Sequence, residues 1–464
     1  MRVQESFVER LARALYQGLG VLMIPFLMGY LLWRGFRQPA YRRHWIDRFW
    51  GRRAHIDGPF RHLDAPQVLW VHAVSVGETR AAAPLVLQWL ERHPGHCVVL
   101  THTTPTGAET GEQLFTPYLE GSNDLARRGR LLQCTLPYDF SWAGARFLRW
   151  ARPSLGVLME TELWPNLLAQ ADALQIPVVL VNARLSPRSA RRLVQWRWLS
   201  RPAVMRLTGI AAQNESDLSG FRQVLSDAPS VGVVAKPRLE VVGNLKFDSA
   251  VSSEMTALGQ TWRAQLGLTP IWLVASTRED EERELLAAWR SDVTRRGVLV
   301  IVPRHPQRFD RVARLIEEAG FHCLRRSHLP VSLPVQGDLS SSVILGDSLG
   351  EMAAYMAMAD IVLMGGSLIP LGGQNPIEAC AAGKPVYFGP HMFNFSQIAR
   401  DLVDSKVGVE VTSFQHWLRE GGRLLADPQE LAARTERAQA FAVRHRGATM
   451  RTLTFMESVS AAEC

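Results

Sequence analysis

Short runs of consecutive apolar residues alternate along this chain with longer stretches whose apolar positions recur every three or four residues. The short runs fall at 67–76 (QVLWVHAVSV), 97–103 (CVVLTHT), 155–160 (LGVLME), 176–183 (IPVVLVNA) and 207–212 (LTGIAA). Stretches such as AAPLVLQWLERH between them have helical spacing. Strands that are apolar throughout are buried on both faces, as in a parallel sheet covered by helices on each side. The series then restarts at 270–276, 297–303, 342–347, 360–366 and 384–389. Between the halves, AKPRLEVVGNLKFDSAVSS reads as the last strand of the first half and a linker, which places a boundary near residue 250. The stretch from Pro428 to about Met456 predicts one or two helices without a strand, free to pack back across the first half. A length of 464 residues exceeds what one core accommodates. The expected fold class is therefore α/β, with two Rossmann-like domains facing across a cleft.

Ahead of the first strand, Leu15 to Trp33 carry no formal charge. About twenty apolar residues are enough to cross a bilayer. No small-residue cleavage site follows. The next segment, RGFRQPAYRRHWIDRFWGRR, interleaves arginine with tyrosine and tryptophan, a composition suited to anionic headgroups on the cytoplasmic side. More arginines follow the run than precede it at Arg2, Arg10 and Arg13, so the bulk of the chain is expected inside. The predicted division is a membrane anchor at 1–35, an acceptor domain at 36–250 and a donor domain at 251–464. Whether the anchor spans the bilayer or lies in its interface stays open. Because the run ends well before the first strand, its removal is expected to leave both domains folded. Arg37, Arg42, Arg43 and Arg48 are expected to retain some membrane affinity.

The net charge of +8 calls for an anionic partner. The sequence contains none of the helix-turn-helix, zinc-finger or RNP signatures of nucleic-acid binders, which leaves a phospholipid surface or a phosphorylated substrate. Five scattered cysteines (Cys97, Cys134, Cys323, Cys380 and Cys464) show neither zinc nor redox spacing and fit a reducing compartment.

In doubly wound sheets ligands bind beyond the carboxyl ends of the strands, so motifs at strand-to-loop junctions matter most. The first is HAVSVGE, where Ser75 or Thr79 can cap a helix and Glu78 lies in its first turn. Glu78 is placed to take a proton from a hydroxyl nucleophile, or else serves only as a capping acid. The second is ETELWPNL, with Glu160 and Glu162. The proline that follows suggests a chain already turning, which would separate these acids and leave at most one lining a site. The third is GGSLIPLGGQNPIEA. Its glycines, among them Gly366 and Gly373, admit close approach of a ligand, with Ser367 beside them. Asn375 can cap the next helix, Pro376 suits its first position, and Glu378 is oriented toward ribose hydroxyls. A glycine loop leading into a helix N-terminus is an anion site. Basic residues at further strand ends (Lys246, Arg278, Arg304 and His305) suit a phosphate.

Gly346-Asp347-Ser348-Leu349-Gly350 satisfies the GxSxG pattern of a hydrolase elbow. A triad would also need a later acid and histidine, and His391, His416 and His445 show no special context. Neither Asp-x-Asp nor HExxH occurs, so no metal site and no cofactor are expected.

Taken together, QPAYRRHWIDRFWG, HAVSVGE, TTPTG, ETELWPNL, VNARLS, GNLKFD, PRHPQRF, GDSLGEM and GGSLIPLGGQNPIEA lie in order over roughly residues 30–395. In this the chain resembles the 3-deoxy-D-manno-octulosonic acid (Kdo) transferases of lipopolysaccharide core synthesis. It departs mildly where ASTRED replaces a GSTHEGEE-like stretch and where residues 121–134 look longer than usual. The resemblance implies a GT-B fold and metal-free transfer of Kdo from CMP-Kdo to a lipid A precursor, with inversion, at the cytoplasmic face of the inner membrane. It implies Glu78 as general base and Glu160 or Glu162 as an active-site acid. Arg304, Asn375 and Glu378, supported by Lys246, would hold the CMP portion, with His305, Gly366, Ser367 and Gly373 around it. Nucleic acid is not an expected partner. A sugar-nucleotide 2-epimerase shares this fold, but the anchor and the want of a second acid/base pair argue against it. A silent nucleotide-binding scaffold is opposed by Glu78 standing alongside a complete donor motif.

Overall fold

The computed structural model describes residues 3–38, 41, 45–51, 60, 67–119, 122–124, 127–185, 187–226, 236–248, 253–279, 281–292, 296–329 and 339–461. The chain forms two compact units, Met1–Ser249 with Arg446–Cys464, and Ala250–His445.

The first unit is built on β1 (Gln67–His72), β2 (His96–His102), β3 (Leu131–Thr135), β4 (Leu155–Met159), β5 (Val178–Ala183), β6 (Gly209–Ala212) and β7 (Arg238–Val241). They form a parallel seven-stranded sheet in the order β3-β2-β1-β4-β5-β6-β7. Side chains alternate between two cores. Leu69, Val71, Leu100 and Val157 face the helix Val76–Arg92, and Val68, Trp70, Val99 and Leu158 face the helix Ser141–Ala151. The second unit repeats the design with β8 (Ile271–Thr277), β9 (Val298–Pro303), β10 (His322–Arg325), β11 (Ser342–Leu345), β12 (Ile361–Met364), β13 (Val386–Phe388) and β14 (Gly408–Glu410). Its order is β10-β11-β9-β8-β12-β13-β14, again parallel.

Each apolar run of the sequence becomes a strand. The three strands it did not reveal, β3, β10 and β14, are short and only partly buried. Sequence order reverses between β1 and β4 in the first sheet and between β8 and β12 in the second. These are the switch points where such sheets open a ligand crevice.

The final helix, Ala448–Ala461, belongs to the first unit and not to the domain drawn at 251–464. Phe455, Met456 and Val459 enter the first unit's core. The Asp248 carboxylate accepts from Gly447 N at 2.7 Å and Thr449 N at 2.5 Å, and Arg451 Nε donates to the Val242 carbonyl at 2.8 Å. The helix before it, Pro428–His445, stays with the second unit.

The apolar N-terminal run folds as two helices, α1 (Phe7–Leu22) and α2 (Ile24–Arg37), bent 47° at a break ahead of Pro25. Among the described residues no single helix is long and apolar enough to cross a membrane. The anchor is part of the first unit, against the expectation of a detached segment. Glu5 pairs with Arg206 at 2.8 Å and Glu9 with Arg201 at 3.4 Å. Gln17 Oε1 accepts from Ser141 N at 3.0 Å and from Asn166 Nδ2 at 2.9 Å. Leu31 is buried with Tyr41, Phe49, Phe140 and Ala143. The opposite face leaves Phe7, Leu11, Leu15, Leu19, Leu22, Phe26, Trp33 and Phe36 exposed. Arg48, expected on the membrane surface, is buried and donates to the Thr103 carbonyl at 3.1 Å. The Arg37 side chain and Arg42 and Arg43 lie outside the described residues.

Candidate active site

Both loops at the first unit's switch point carry acids. After β1, Ser75 caps the helix Val76–Arg92 by accepting from Glu78 N at 3.4 Å, and the Glu78 carboxylate reaches back. Its Oε2 accepts from Val74 N at 2.8 Å and its Oε1 from the Ser75 hydroxyl at 3.1 Å. The capping role is therefore real, and it fixes the carboxylate. Burial raises the Glu78 carboxyl to about 7, the charges of Glu160 and Glu162 add to that, and the Val74 and Ser75 hydrogen bonds oppose it. A carboxylate ionising near neutrality suits a general base.

After β4 the chain turns at once, since Glu160 has φ 55°, a left-handed conformation unusual for a non-glycine residue. Strain of this kind costs about 1–3 kcal/mol and gathers at functional sites. The two acids take different hydrogen-bond partners. Glu160 Oε1 accepts from Lys246 Nζ at 2.8 Å. Glu162 accepts from the Trp164 indole at 2.8 Å, and burial, followed by the charge of Glu160, raises its carboxyl. The charges of both acids help to raise the Glu78 carboxyl. Lys246 lies in the first unit with Glu160, whereas the sequence reading grouped it with the donor residues of the second.

The other motifs of this unit act as its frame. His72, held neutral by burial with its pKa lowered to about 3, donates through Nδ1 to the Thr101 carbonyl at 3.2 Å. Its ring meets Trp164 edge to face at 5.6 Å, which links HAVSVGE to ETELWPNL. In TTPTG, the Thr104 hydroxyl donates to the Val74 carbonyl at 2.8 Å. In VNARLS, Asn182 Oδ1 accepts from Leu245 N at 3.0 Å, which steadies the residue before Lys246. Sequence reasoning did not single out His72, Trp164, Thr104 or Asn182, although each lies inside a quoted motif.

In the second unit, the switch-point strand β8 carries a left-handed residue, Ser276, with φ 60°, one position before its end at Thr277. Arg278 follows, and its Cγ lies 3.1 Å from where a Cβ on Gly366 would stand. Gly366 has φ 65° and Gly373 has φ 70°, and a Cβ on Gly373 would meet Met392 Sδ at 2.1 Å. Gly373 N donates to the Gly366 carbonyl at 2.9 Å, so the two ends of the loop are tied together. These glycines are required by the loop's own crowding, not only by close approach of a ligand.

Ser367 is fully buried. Its hydroxyl donates to the Met364 carbonyl and accepts from Gly389 N at 2.8 Å, so it holds the loop and is not turned toward a ligand. Asn375 Oδ1 accepts from Ile377 N at 3.1 Å in a turn just ahead of the short helix Ile377–Ala381, but the capping position belongs to Pro376, so Asn375 and Pro376 each stand one place earlier than expected. Glu378 is exposed in that helix's first turn.

Arg304 and His305 follow β9, the neighbour of β8, and both are exposed. Arg304 N donates to the Thr277 carbonyl at 2.9 Å. Burial, then the charges of Arg278 and Arg304, lowers the His305 pKa. Two buried acids just after ASTRED, Glu281 and Glu282, went unremarked. Glu281 accepts from Arg278 N and Gly366 N, and Glu282 accepts from the Thr277 hydroxyl and from Arg308.

The hydrolase pattern at Gly346–Gly350 does not form a triad. The Ser348 hydroxyl contacts Glu351 and Tyr355 rather than a histidine, and Asp347 is engaged by Ser327 and Arg325. Among the described residues no three or more His, Cys, Asp or Glu side chains are grouped to hold a metal.

Two doubly wound parallel units, each with polar residues gathered at its switch point, form the architecture of GT-B glycosyltransferases and their relatives. A solved UDP-GlcNAc 2-epimerase from Neisseria meningitidis shares the fold at TM-score 0.54 and 13% identity, covering 86% of this chain and all of its own. That identity speaks to fold alone. The family model described as 3-deoxy-D-manno-octulosonic-acid transferase matches residues 45–249. A Kdo transferase from Bordetella pertussis is 42% identical over 85% of this chain and 87% of its own. Another from Haemophilus influenzae is 33% identical over 96% of this chain and 98% of its own. The chain belongs to the Kdo transferase family, and is a glycosyltransferase of lipopolysaccharide core synthesis.

Proposed function

We propose that this enzyme transfers Kdo from CMP-Kdo to a lipid A precursor with inversion, using Glu78 as general base. The observation that carries the reading is the Glu78 carboxyl, half-buried, fixed by two hydrogen bonds and raised to about 7 beside Glu160 and Glu162. In the displacement an acceptor hydroxyl oxygen attacks the anomeric carbon of Kdo and its proton passes to Glu78. The bond to the CMP phosphate breaks, and the phosphate leaves as an anion. Arg304 and Arg278, with the amides of the glycine loop, supply positive potential for that anion. Glu378 and Asn375 accompany the ribose. Lys246 holds Glu160 in place on the base's side.

This chemistry calls for no metal. Turnover is therefore expected to survive chelation by EDTA, and a loss restored by a divalent cation would contradict the metal-free route. The catalytic units work at the cytoplasmic face of the inner membrane. Support comes from the continuous apolar face of α1 and α2, opposite the face docked to the first unit, and from the net charge of +8. A helix pair held along one side and apolar along the other suits burial in the interfacial layer. The direct test is CMP release from CMP-Kdo with and without lipid A precursor. Release that depends on the acceptor is expected. Release indifferent to the acceptor would indicate hydrolysis or isomerisation.

A further inference from the structure

We infer that Glu281 is a positioning residue whose carboxylate clamps the arginine loop after β8 to the glycine loop after β12, setting the shape of the nucleotide-phosphate site. This rests on the donor-site reading of those two loops. The side chain is 3% exposed and so does not meet solvent or substrate. Its Oε1 accepts from Arg278 N at 2.7 Å, and Gly366 N lies 3.0 and 2.9 Å from its two oxygens. A Cβ on Gly365 would stand 2.8 Å from Oε1, so the carboxylate fills the space beneath the loop.

An acid in the first turn of a helix ordinarily faces water and answers the helix dipole. Here it instead serves an amide 85 residues away in sequence. The adjacent Glu282, with no exposed surface, has a separate task. It accepts from the Thr277 hydroxyl at 2.7 Å and from Arg308 Nη2 at 2.6 Å. One acid thus fixes the two loops and the other fixes a basic residue of the segment after β9.

The charged groups acting on Glu281 are Glu282 on its own helix, which opposes ionisation, and Arg308, which favours it. Burial outweighs both and raises the carboxyl to about 7, while the Arg278 and Gly366 amides pull the other way. The ionised form makes the strongest clamp, because both of its oxygens accept. Protonation makes one of them a donor facing amide donors.

The test compares full-length wild type, Glu281→Gln and Glu281→Asp by calorimetry with CMP and by steady-state kinetics with CMP-Kdo. Glu281→Gln is expected to weaken CMP binding about tenfold and to raise the donor KM in parallel. Its kcat should stay within about twofold, and Glu281→Asp should recover part of the affinity. Unchanged CMP affinity in Glu281→Gln overturns the inference. So does an equal loss in both variants accompanied by a lower unfolding midpoint in each, which marks general destabilisation. Hydrogen exchange of nucleotide-free wild type gives a second reading that needs no variant to fold. The Arg278 and Gly366 amides should lose protection together as pH falls below about 7, after correction for intrinsic rates. Independent behaviour of the two amides overturns the clamp. Failure of wild type to bind CMP would instead overturn the donor-site reading and leave the exchange result standing.

Discussion

Replacing Glu78 with glutamine keeps the shape of the side chain and removes its basicity. One of the two capping contacts, to Val74 N or to the Ser75 hydroxyl, survives through the amide oxygen. The unfolding midpoint should therefore fall only modestly, since a lost cap costs about 1 kcal/mol. The chemical step responds differently. Loss of a general base typically costs about 10²–10⁴ in rate, or roughly 3–5 kcal/mol of barrier. Donor binding should persist, because Glu78 belongs to the first unit and the proposed CMP residues to the second. The wild-type pH profile carries the same signature. Glu78 acts when deprotonated, and its carboxyl is raised to about 7, so turnover should climb with pH through that value. About half the enzyme is active at the midpoint and about a tenth one unit below it. Because Glu160 and Glu162 help raise that carboxyl, Glu162→Gln should move the acidic limb to lower pH. The assay is CMP release from CMP-Kdo with lipid A precursor, across pH, with CMP affinity measured in parallel. Wild-type turnover in Glu78→Gln, or a flat profile through neutrality, would falsify the assignment.

The Lys246–Glu160 pair should behave as a unit: in a double-mutant cycle with Lys246→Met and Glu160→Gln, turnover losses should be non-additive by about 0.5–3 kcal/mol, and simple additivity would mean the pair is incidental. Arg304→Ala and Glu378→Ala should weaken CMP binding by about 1.5–3 kcal/mol each, with little change in kcat, and unchanged calorimetric affinity in both would move the donor elsewhere. Deleting residues up to Gly35 should lower the unfolding midpoint as well as membrane partitioning, because it removes the Gln17, Glu5 and Leu31 contacts. Changing Leu11, Leu15 and Leu19 to glutamine should instead reduce sedimentation with anionic vesicles while leaving the midpoint unchanged, since those side chains are exposed. A midpoint that falls with these three would show them to be core residues.

Much of the fold was legible because parallel strands buried on both faces are written as unbroken apolar runs, and β1, β4, β8, β9 and β12 are such strands. The edge strands β10 and β14 were not, since partly exposed edges need no such pattern. The helix break ahead of Pro25 was not foreseen, since Leu15 to Trp33 read as one continuous apolar run. Nor was the docking of α1, because it depends on Arg201, Arg206 and Asn166, far off in sequence. At the site, Glu78 was legible from the strand-to-helix turn around it. What escaped notice were contacts made within each unit between segments distant in sequence: the His72 ring against Trp164 in the first, and the Glu281 carboxylate on the Gly366 amide in the second, which only the sheet order brings together. Ser367 erred the other way, since a serine in a glycine loop reads as a ligand contact until its hydroxyl is found bonded to Met364 and Gly389.

The most direct test of the central claim is the mass of the lipid product after the purified full-length enzyme is incubated with CMP-Kdo and lipid A precursor in detergent. The account predicts a product heavier than the precursor by a whole number of Kdo residues, matched mole for mole by released CMP. A precursor of unchanged mass, while the same enzyme preparation binds CMP, would contradict it.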